Sequence, residues 1–334
     1  MNSRVFQVDD FHPLVPYTYE TARLAEAGIS FDEGFCETPE DVIAKAGEAD
    51  VLWLAWAPPI DIEVLEALPK VRLVIRWGIG FEQIDVDAAT ALGIAVANAP
   101  TYGTEDVAEH ALALLLALER RIVEFGASMR SGGWATPETG SIRRIRGLTL
   151  GLLGVGRIGA ALAHRAKGIG LNVIGYDPYR PQGGLADVDV EDVALDELAA
   201  RSDFVSIHVP HTQQTDGMID AGFLGKMRDD AYLINTSRGK IINQGDLVSA
   251  LRSGTIAGAG LDVFDTEPLP GDDPLRSLAN VILTPHYAGY SAQSWADLRE
   301  EMCQTTIGFL TTGWASTIVN PGVRDGLRSA APST

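Results

Sequence analysis

"LTLGLLGVGRIG", residues 148–159, runs from a hydrophobic β-type stretch into a turn punctuated by glycine. Gly154, Gly156 and Gly159 form G-x-G-x-x-G. The first permits a tight turn, the second lets a pyrophosphate approach backbone, and the third lets a helix pack closely on the strand. The pyrophosphate would sit on the N–H groups that open the helix at Arg157 and Ile158. The next strand pattern, "NVIGYD", ends in Asp177, 23 residues beyond Gly154. That is about the ~20-residue interval at which an acid meets the adenosine ribose hydroxyls. A carboxylate there accepts from a diol and repels a 2′-phosphate, so the expected cofactor is NAD rather than NADP. A turn residue before Pro178 is the plain alternative for Asp177.

The turn lies late in the chain. In a single nucleotide-binding fold it would follow the first strand, so the residues ahead of it need a domain of their own. They carry the strand patterns "RVFQVD" (4–9), "DVLWLAW" (50–56), "RLVIR" (72–76) and "IAVAN" (94–98), with helical stretches such as "YETARLAEAG" and "PEDVIAKAGEA" between them. After "LTLGLL" come "NVIGYD", "DFVSIHV", "AYLINT", "IAGAGLDVF" and "NVILTPH", six strands in all. The alternation predicts an α/β fold of two doubly wound parallel-sheet domains: a flavodoxin-like substrate domain and a Rossmann NAD-binding domain, with a cleft between. The helical stretch 291–313 has no place in the second sheet and is expected to return to the first domain. The expected boundaries are 1–100 plus 290–320, then 101–289, with 321–334 a loose tail. "VAEHALALLLALERRI" (107–122) is apolar on nearly every face, which predicts a domain or subunit contact and a homodimer through this helix.

Composition narrows the function classes. The 334 residues include 26 basic and 45 acidic ones, a net charge of −19, and no run of Lys and Arg. Nucleic acid and anionic membranes are therefore poor partners. An anionic small-molecule substrate would have to be drawn in by local cations. The apolar run Ala111–Leu118 is eight residues long, far short of the ~20 that span a bilayer. "MNSRVFQVDD" holds no apolar signal segment, so export is not expected. Cys36 and Cys303, the only cysteines, suggest neither a disulfide framework nor a metal site, and they suit a reducing cytoplasm.

Open α/β sheets place ligands at the carboxyl ends of their strands. "INTSRGK" puts Arg238 after one strand, "LDVFDTEP" puts Asp262 and Glu267 after the next, and "ILTPH" puts His286 after the last. One such residue alone reads as structural. Three successive strand ends that deliver a cation, carboxylates and an imidazole read as a reaction set. Reducing a 2-keto acid takes a hydride donor, a proton donor for the developing alkoxide and a cation for the carboxylate. NADH, His286 and Arg238 would supply them in that order, with Glu267 favouring the imidazolium.

These motifs resemble the D-2-hydroxyacid dehydrogenase family, whose signature elements stand here as "GLLGVGRIG", "NTSRG", "LDVFDTEP" and "LTPH", over about residues 40–312. The resemblance implies catalytic roles for Arg238, Glu267 and His286. It implies a nicotinamide-amide contact for Asp262 and an adenosine-lining loop for His208, Val209 and Pro210. It extends the cofactor set to Thr215, Thr236 and Gly289. It assigns the substrate carboxylate to the backbone at Gly78, Ile79 and Gly80. Within the family, "IRWGIGFEQIDVDAAT", "RIRGLTLG" and "DVFDTEPLP" are most similar to the branch of the C-terminal-binding proteins, which implies a second substrate cation at Arg76; a strand-end surface role is the alternative there. The branch carries a Trp after its catalytic His, where "HYAGYS" has Gly289. Either Trp77 or Tyr287 refills that space or the pocket is larger. An NADH-responsive, corepressor-like binding protein and an adenosyl-group enzyme are competing readings, and no motif selects among 2-keto acids.

Overall fold

The computed structural model describes residues 3–9, 16–56, 58–134, 142–180 and 185–328. The chain divides into two compact units, Met1–Tyr102 with Ser291–Thr334, and Gly103–Tyr290. In chain order the first elements are β1 (Arg4–Gln7), α1 (Thr18–Ala25), β2 (Ser30–Glu33), α2 (Pro39–Lys45), β3 (Val51–Leu54), α3 (Ile62–Ala67), β4 (Leu73–Arg76), α4 (Val86–Ala91) and β5 (Ala95–Ala97). There follow α5 (Thr104–Glu119), α6 (Ile122–Arg130), β6 (Thr149–Leu153), α7 (Arg157–Gly168), β7 (Asn172–Tyr176), β8 (Glu191–Asp192), α8 (Leu195–Arg201) and β9 (Phe204–Ile207). The series ends with α9 (Ala221–Leu224), β10 (Tyr232–Asn235), α10 (Gln244–Ser253), β11 (Gly258–Leu261), β12 (Val281–Leu283) and α11 (Ala292–Thr312).

The first unit holds a five-stranded parallel sheet in the order β2-β1-β3-β4-β5. Its central strands β3 and β4 are buried along their whole length, as strands covered on both faces must be. The helix starts are written locally: Thr38 and Asp41 form a capping box on α2, and Asp61 and Asp85 cap α3 and α4. The final helix α11 belongs to this unit. Its Arg299 makes two hydrogen bonds, 2.6 and 2.7 Å, to the carboxylate of Glu20 on α1, which is fully buried. Thr306 accepts from the buried Trp53 indole at 2.9 Å.

The second unit holds a seven-stranded parallel sheet in the order β12-β11-β10-β9-β6-β7-β8. The order reverses between β6 and β9, which makes their carboxyl ends the topological switch point where such sheets bind ligands. One face is covered by a core that includes Leu198, Phe223 and Leu247, the other by a core that includes Leu114, Leu115 and Leu162. That is the doubly wound arrangement.

Four expectations are corrected. Two edge strands escape a reading of the sequence: β2 is short and half-exposed, and β8 consists of two exposed acidic residues, so neither shows a hydrophobic signal. The helix expected over 107–122 spans Thr104–Glu119 and stops where Arg121 takes a left-handed φ of 51°. Its apolar surface is used within its own unit, packed against α7, β10 and β11, with Leu114 close on Gly260. It therefore does not by itself call for a partner subunit. Finally, the tail expected from 321 on is built in as far as the described residues reach. Pro321–Gly326 forms a 3-10 turn, Val323 is buried, and Arg328 donates from its backbone to Gly93 and from its guanidinium to the carbonyls of Leu68 and Val71. A polar stretch without periodicity can still be ordered by backbone acceptors elsewhere in the fold. Residues 329–334 lie outside the described residues.

Candidate active site

The glycine turn follows β6 at the switch point. Gly154 has φ 93°, and a Cβ on it would lie 2.8 Å from the His208 and Val209 backbone. A side chain at Gly159 would overlap the Gly154 carbonyl oxygen. These two glycines are required by backbone approach alone. Gly156 differs, because a Cβ there meets nothing within 4 Å; the space in front of it is open. Gly156 is also the N-cap of α7 and offers no side chain to its first N–H groups, at Arg157 and Ile158. An uncapped helix start behind an open glycine suits a pyrophosphate.

Asp177 closes this corner. Its Oδ2 accepts from Val155 N–H at 2.8 Å and its Oδ1 from Tyr179 N–H at 2.9 Å. The carboxylate is thus both a turn residue before Pro178 and a group held beside the glycine turn. On the other side, His208 bonds Ser206 Oγ through Nε2 at 2.9 Å, and burial pushes its imidazole from the ordinary 6.5 down to about 4. Val209 is buried and Pro210 exposed. Thr215, expected at the cofactor, is buried, its hydroxyl donating to Pro210 O at 2.7 Å and accepting from Thr212 N–H at 2.8 Å. The structure gives Thr215 the job of shaping this loop. Thr236 is the reverse case: its buried Oγ1 has no hydrogen-bond partner among the described residues. A buried hydroxyl left so is costly, which fits a ligand group reaching it. The open glycine, the uncapped helix and this hydroxyl together fit a dinucleotide.

The chemistry-bearing side chains lie at the carboxyl ends of β10, β11 and β12. Asn235, fully buried at the end of β10, donates to Arg238 O at 2.8 Å and accepts from Ser237 N–H at 3.0 Å, which folds the Arg238 turn back on itself. Gly239 then packs so tightly on the next loop that a Cβ would overlap the Phe264 carbonyl. That contact brings the Arg238 turn against the loop carrying Glu267. Glu267 accepts from Phe264 N–H at 2.9 Å through Oε1, and its Oε2 lies 2.6 Å from His286 Nδ1. Burial pulls the Glu267 carboxyl upward, but the His286 bond and charge, the Phe264 N–H and the Arg238 charge outweigh it and hold the group below its ordinary range. His286 is about a third exposed and sits at φ 58°.

Asp262, expected at the nicotinamide amide, is fully buried. It takes N–H bonds from Tyr287 and Ala288, both 2.9 Å, and the Thr284 hydroxyl at 2.5 Å. Its first task is to hold the loop around His286. Gly289 lies close to Gly103. Tyr287 is half-exposed and stacked on Tyr290 at 4.3 Å.

In the first unit, Gly78 has φ 121°, Ala99 N–H bonds its carbonyl at 3.0 Å, and Asn98 Nδ2 bonds Ile79 O at 2.6 Å. Gly80 continues this buried turn. Arg76 is no surface residue. It is 7% exposed, stacks over Trp56 at 5.0 Å, bonds the Trp77 carbonyl, and lies where a Cβ on Gly78 would be. Trp77, offered above as a filler for the space at Gly289, is fully buried among Trp53, Trp295 and Tyr17, with its indole on Gln7 at 2.7 Å. It is a core residue of the first unit. Asn235, Gly239, Thr284 and His110 were missed as site builders. All four lie inside quoted stretches, "INTSRGK", "ILTPH" and "VAEHALALLLALERRI", but nothing in those stretches shows which partners they meet.

Residues 112–288 match the family model described as D-isomer specific 2-hydroxyacid dehydrogenase, NAD binding domain. The chain is 42% identical over 307 residues to a glyoxylate reductase of Korarchaeum cryptofilum, covering 88% of this chain and 92% of that one. It is 44% identical over 253 residues to a D-3-phosphoglycerate dehydrogenase of Mycobacterium leprae, covering 76% of this chain but only 48% of the longer relative. Among solved structures it is similar to a D-lactate dehydrogenase of Aquifex aeolicus complexed with NAD and lactic acid, with a TM-score of 0.82 at 28% identity over 99% of this chain and all of that one.

Proposed function

The chain belongs to the D-isomer specific 2-hydroxyacid dehydrogenase family, and from that premise we propose that it interconverts a small 2-keto acid and its D-2-hydroxy acid with NAD(H), His286 exchanging the proton. The observation that carries this is the 2.6 Å bond between His286 Nδ1 and Glu267 Oε2 at the strand-end edge of the cofactor-binding sheet. With Nδ1 facing Glu267, the proton traded with substrate is the one on Nε2. Glu267 orients the ring through this bond. Arg238 holds the substrate carboxylate and polarises the carbonyl. In the first unit, the amides of Gly78, Ile79 and Gly80 and the Arg76 guanidinium are candidate carboxylate binders. When bound, the nicotinamide supplies the hydride. His286 returns the balance by giving its proton to the developing alkoxide in reduction and removing it in oxidation.

Asp177 favours a ribose diol over a 2′-phosphate, so NADH is the working cofactor. Kinship with the branch of the C-terminal-binding proteins rests on "IRWGIGFEQIDVDAAT", "RIRGLTLG" and "DVFDTEPLP" alone. A relative that the chain nearly spans is a glyoxylate reductase, which puts glyoxylate first among candidate substrates. A homodimer and a cytoplasmic location complete the reading; both thiols are buried and free, and no helix among the described residues is long and apolar enough to cross a membrane. The test is NADH oxidation with glyoxylate, hydroxypyruvate, pyruvate and longer 2-keto acids. His286→Gln should lower kcat roughly a hundred- to ten-thousandfold while NADH still binds by fluorescence titration. A wild-type chain that reduces none of these acids, or a His286→Gln variant with wild-type kcat, rules the reading out.

A further inference from the structure

One buried carboxylate holds the loop that carries His286. Asp262 Oδ1 accepts from Tyr287 N–H at 2.9 Å and from the Thr284 hydroxyl at 2.5 Å, and Oδ2 accepts from Ala288 N–H at 2.9 Å. Its main-chain oxygen accepts from His286 N–H at 2.8 Å. His286 needs this support. Its φ of 58° is a left-handed conformation that a residue with a Cβ adopts only at a cost, and that lasts only where surrounding bonds fix it.

The chain of bonds does not end at Asp262. A threonine hydroxyl has one proton and a carboxylate only accepts, so that proton lies toward Asp262. The hydroxyl oxygen then faces His110 Nε2, 3.0 Å away, and can only be the acceptor. His110 therefore carries a proton on Nε2. The same nitrogen is 3.7 Å from Asp262 Oδ1. His110 stands on α5, packed against β10 and β11, and lies 174 residues from Thr284 in sequence. A regular helix packed on the sheet is a firm anchor for a loop under strain.

Resting on the reading of His286 as the acid/base, we propose that His110 is a positioning residue for it: by donating to Thr284 it fixes the hydroxyl that completes Asp262, and Asp262 in turn fixes the backbone from which the His286 imidazole meets Glu267. Nothing in the family match or the relatives' names assigns His110 a role.

The test compares His110→Leu, which removes the donor, with His110→Gln, whose amide N–H replaces Nε2–H, and with Thr284→Val, which cuts the same chain one bond later. The first readout is amide hydrogen exchange at 286–288, which needs no turnover. Exchange should speed up roughly tenfold or more in His110→Leu and Thr284→Val and stay near wild type in His110→Gln. The second is steady-state kinetics with NADH and glyoxylate or hydroxypyruvate. His110→Leu should lower kcat roughly tenfold with KM within about twofold, because misplacing the acid/base harms the chemical step more than binding. The double variant should be no worse than the poorer single one, as expected for members of one chain. Should His110→Leu fail to fold, Thr284→Val and His110→Gln carry both readouts. Unchanged exchange in the donor-less variants, or a His110→Gln as impaired as His110→Leu, overturns the proposal. A wild-type chain that reduces no 2-keto acid sinks the dehydrogenase reading, and the exchange data still decide the role of His110.

Discussion

His208 is an imidazole held neutral by burial, and its cost can be read in stability. Its ordinary value of 6.5 is pushed down to about 4 in the folded chain. Between those values the unfolded chain binds a proton that the folded chain refuses. The stability contributed by keeping His208 neutral is therefore complete above pH 6.5 and is lost as pH falls through the window toward 4. The total loss is at most about 3.5 kcal/mol, since each pH unit crossed inside that window costs roughly 1.4 kcal/mol. Urea unfolding of wild type and His208→Gln from pH 7 to 4 should show a steeper decline for wild type, and parallel curves would refute this. Asp177 and the glycines could be named from their spacing and His208 from the family resemblance, although the contacts that fix them come from afar in the chain, the His208 and Val209 backbone against Gly154 and Val155 N–H on Asp177. Thr215 and Asp262 were legible as polar residues near the site but not in their tasks. Whether a hydroxyl or carboxylate meets ligand or loop depends on where three or four distant groups come to rest.

At the scale of elements, the strand-end loops form the site only because they are pressed together. Gly239 is the contact that allows it. A methyl group there would overlap the Phe264 carbonyl, so the Arg238 turn would have to move away from the loop that holds Glu267. Gly239→Ala is expected to lower stability by about 1–3 kcal/mol and to cut kcat/KM for the keto acid at least roughly tenfold, with NADH affinity less affected. A variant with wild-type melting temperature and kcat/KM would show that the close approach is dispensable. The element pattern itself could be read in advance wherever strands are buried. Continuous apolar runs announced β3, β4, β6 and β9, whereas β2 and β8 lie at sheet edges with polar, exposed residues. An edge strand is defined by its partner's free hydrogen bonds, which its own sequence does not display.

For the molecule as a whole, an exposed apolar surface lies just beyond the helix that the sequence pattern singles out. α5 is consumed within its unit, but α6 has no buried residue and leaves Ile122, Val123 and Met129 about half-exposed, followed by Trp134 at 83%. Exposed apolar residues grouped in one segment are a common mark of a subunit contact. Sedimentation at micromolar concentration is expected to give twice the 35.7 kDa of the chain, and Ile122→Glu with Met129→Glu is expected to give the monomer. A wild-type monomer would remove the dimer from the proposal.

The sequence alone determined the two parallel sheets and the glycine turn, and marked Arg238, Glu267 and His286 as candidates, because strand periodicity, glycine spacing and residues at strand ends are local properties. Tertiary structure decided what holds them. Asn235 and Gly239 set the Arg238 turn, and Asp262, Thr284 and His110 set the loop of His286. The physical reason is that a hydrogen bond or a steric contact between residues far apart in the chain exists only after folding has brought them within about 3 Å, and no spacing along the chain encodes that distance.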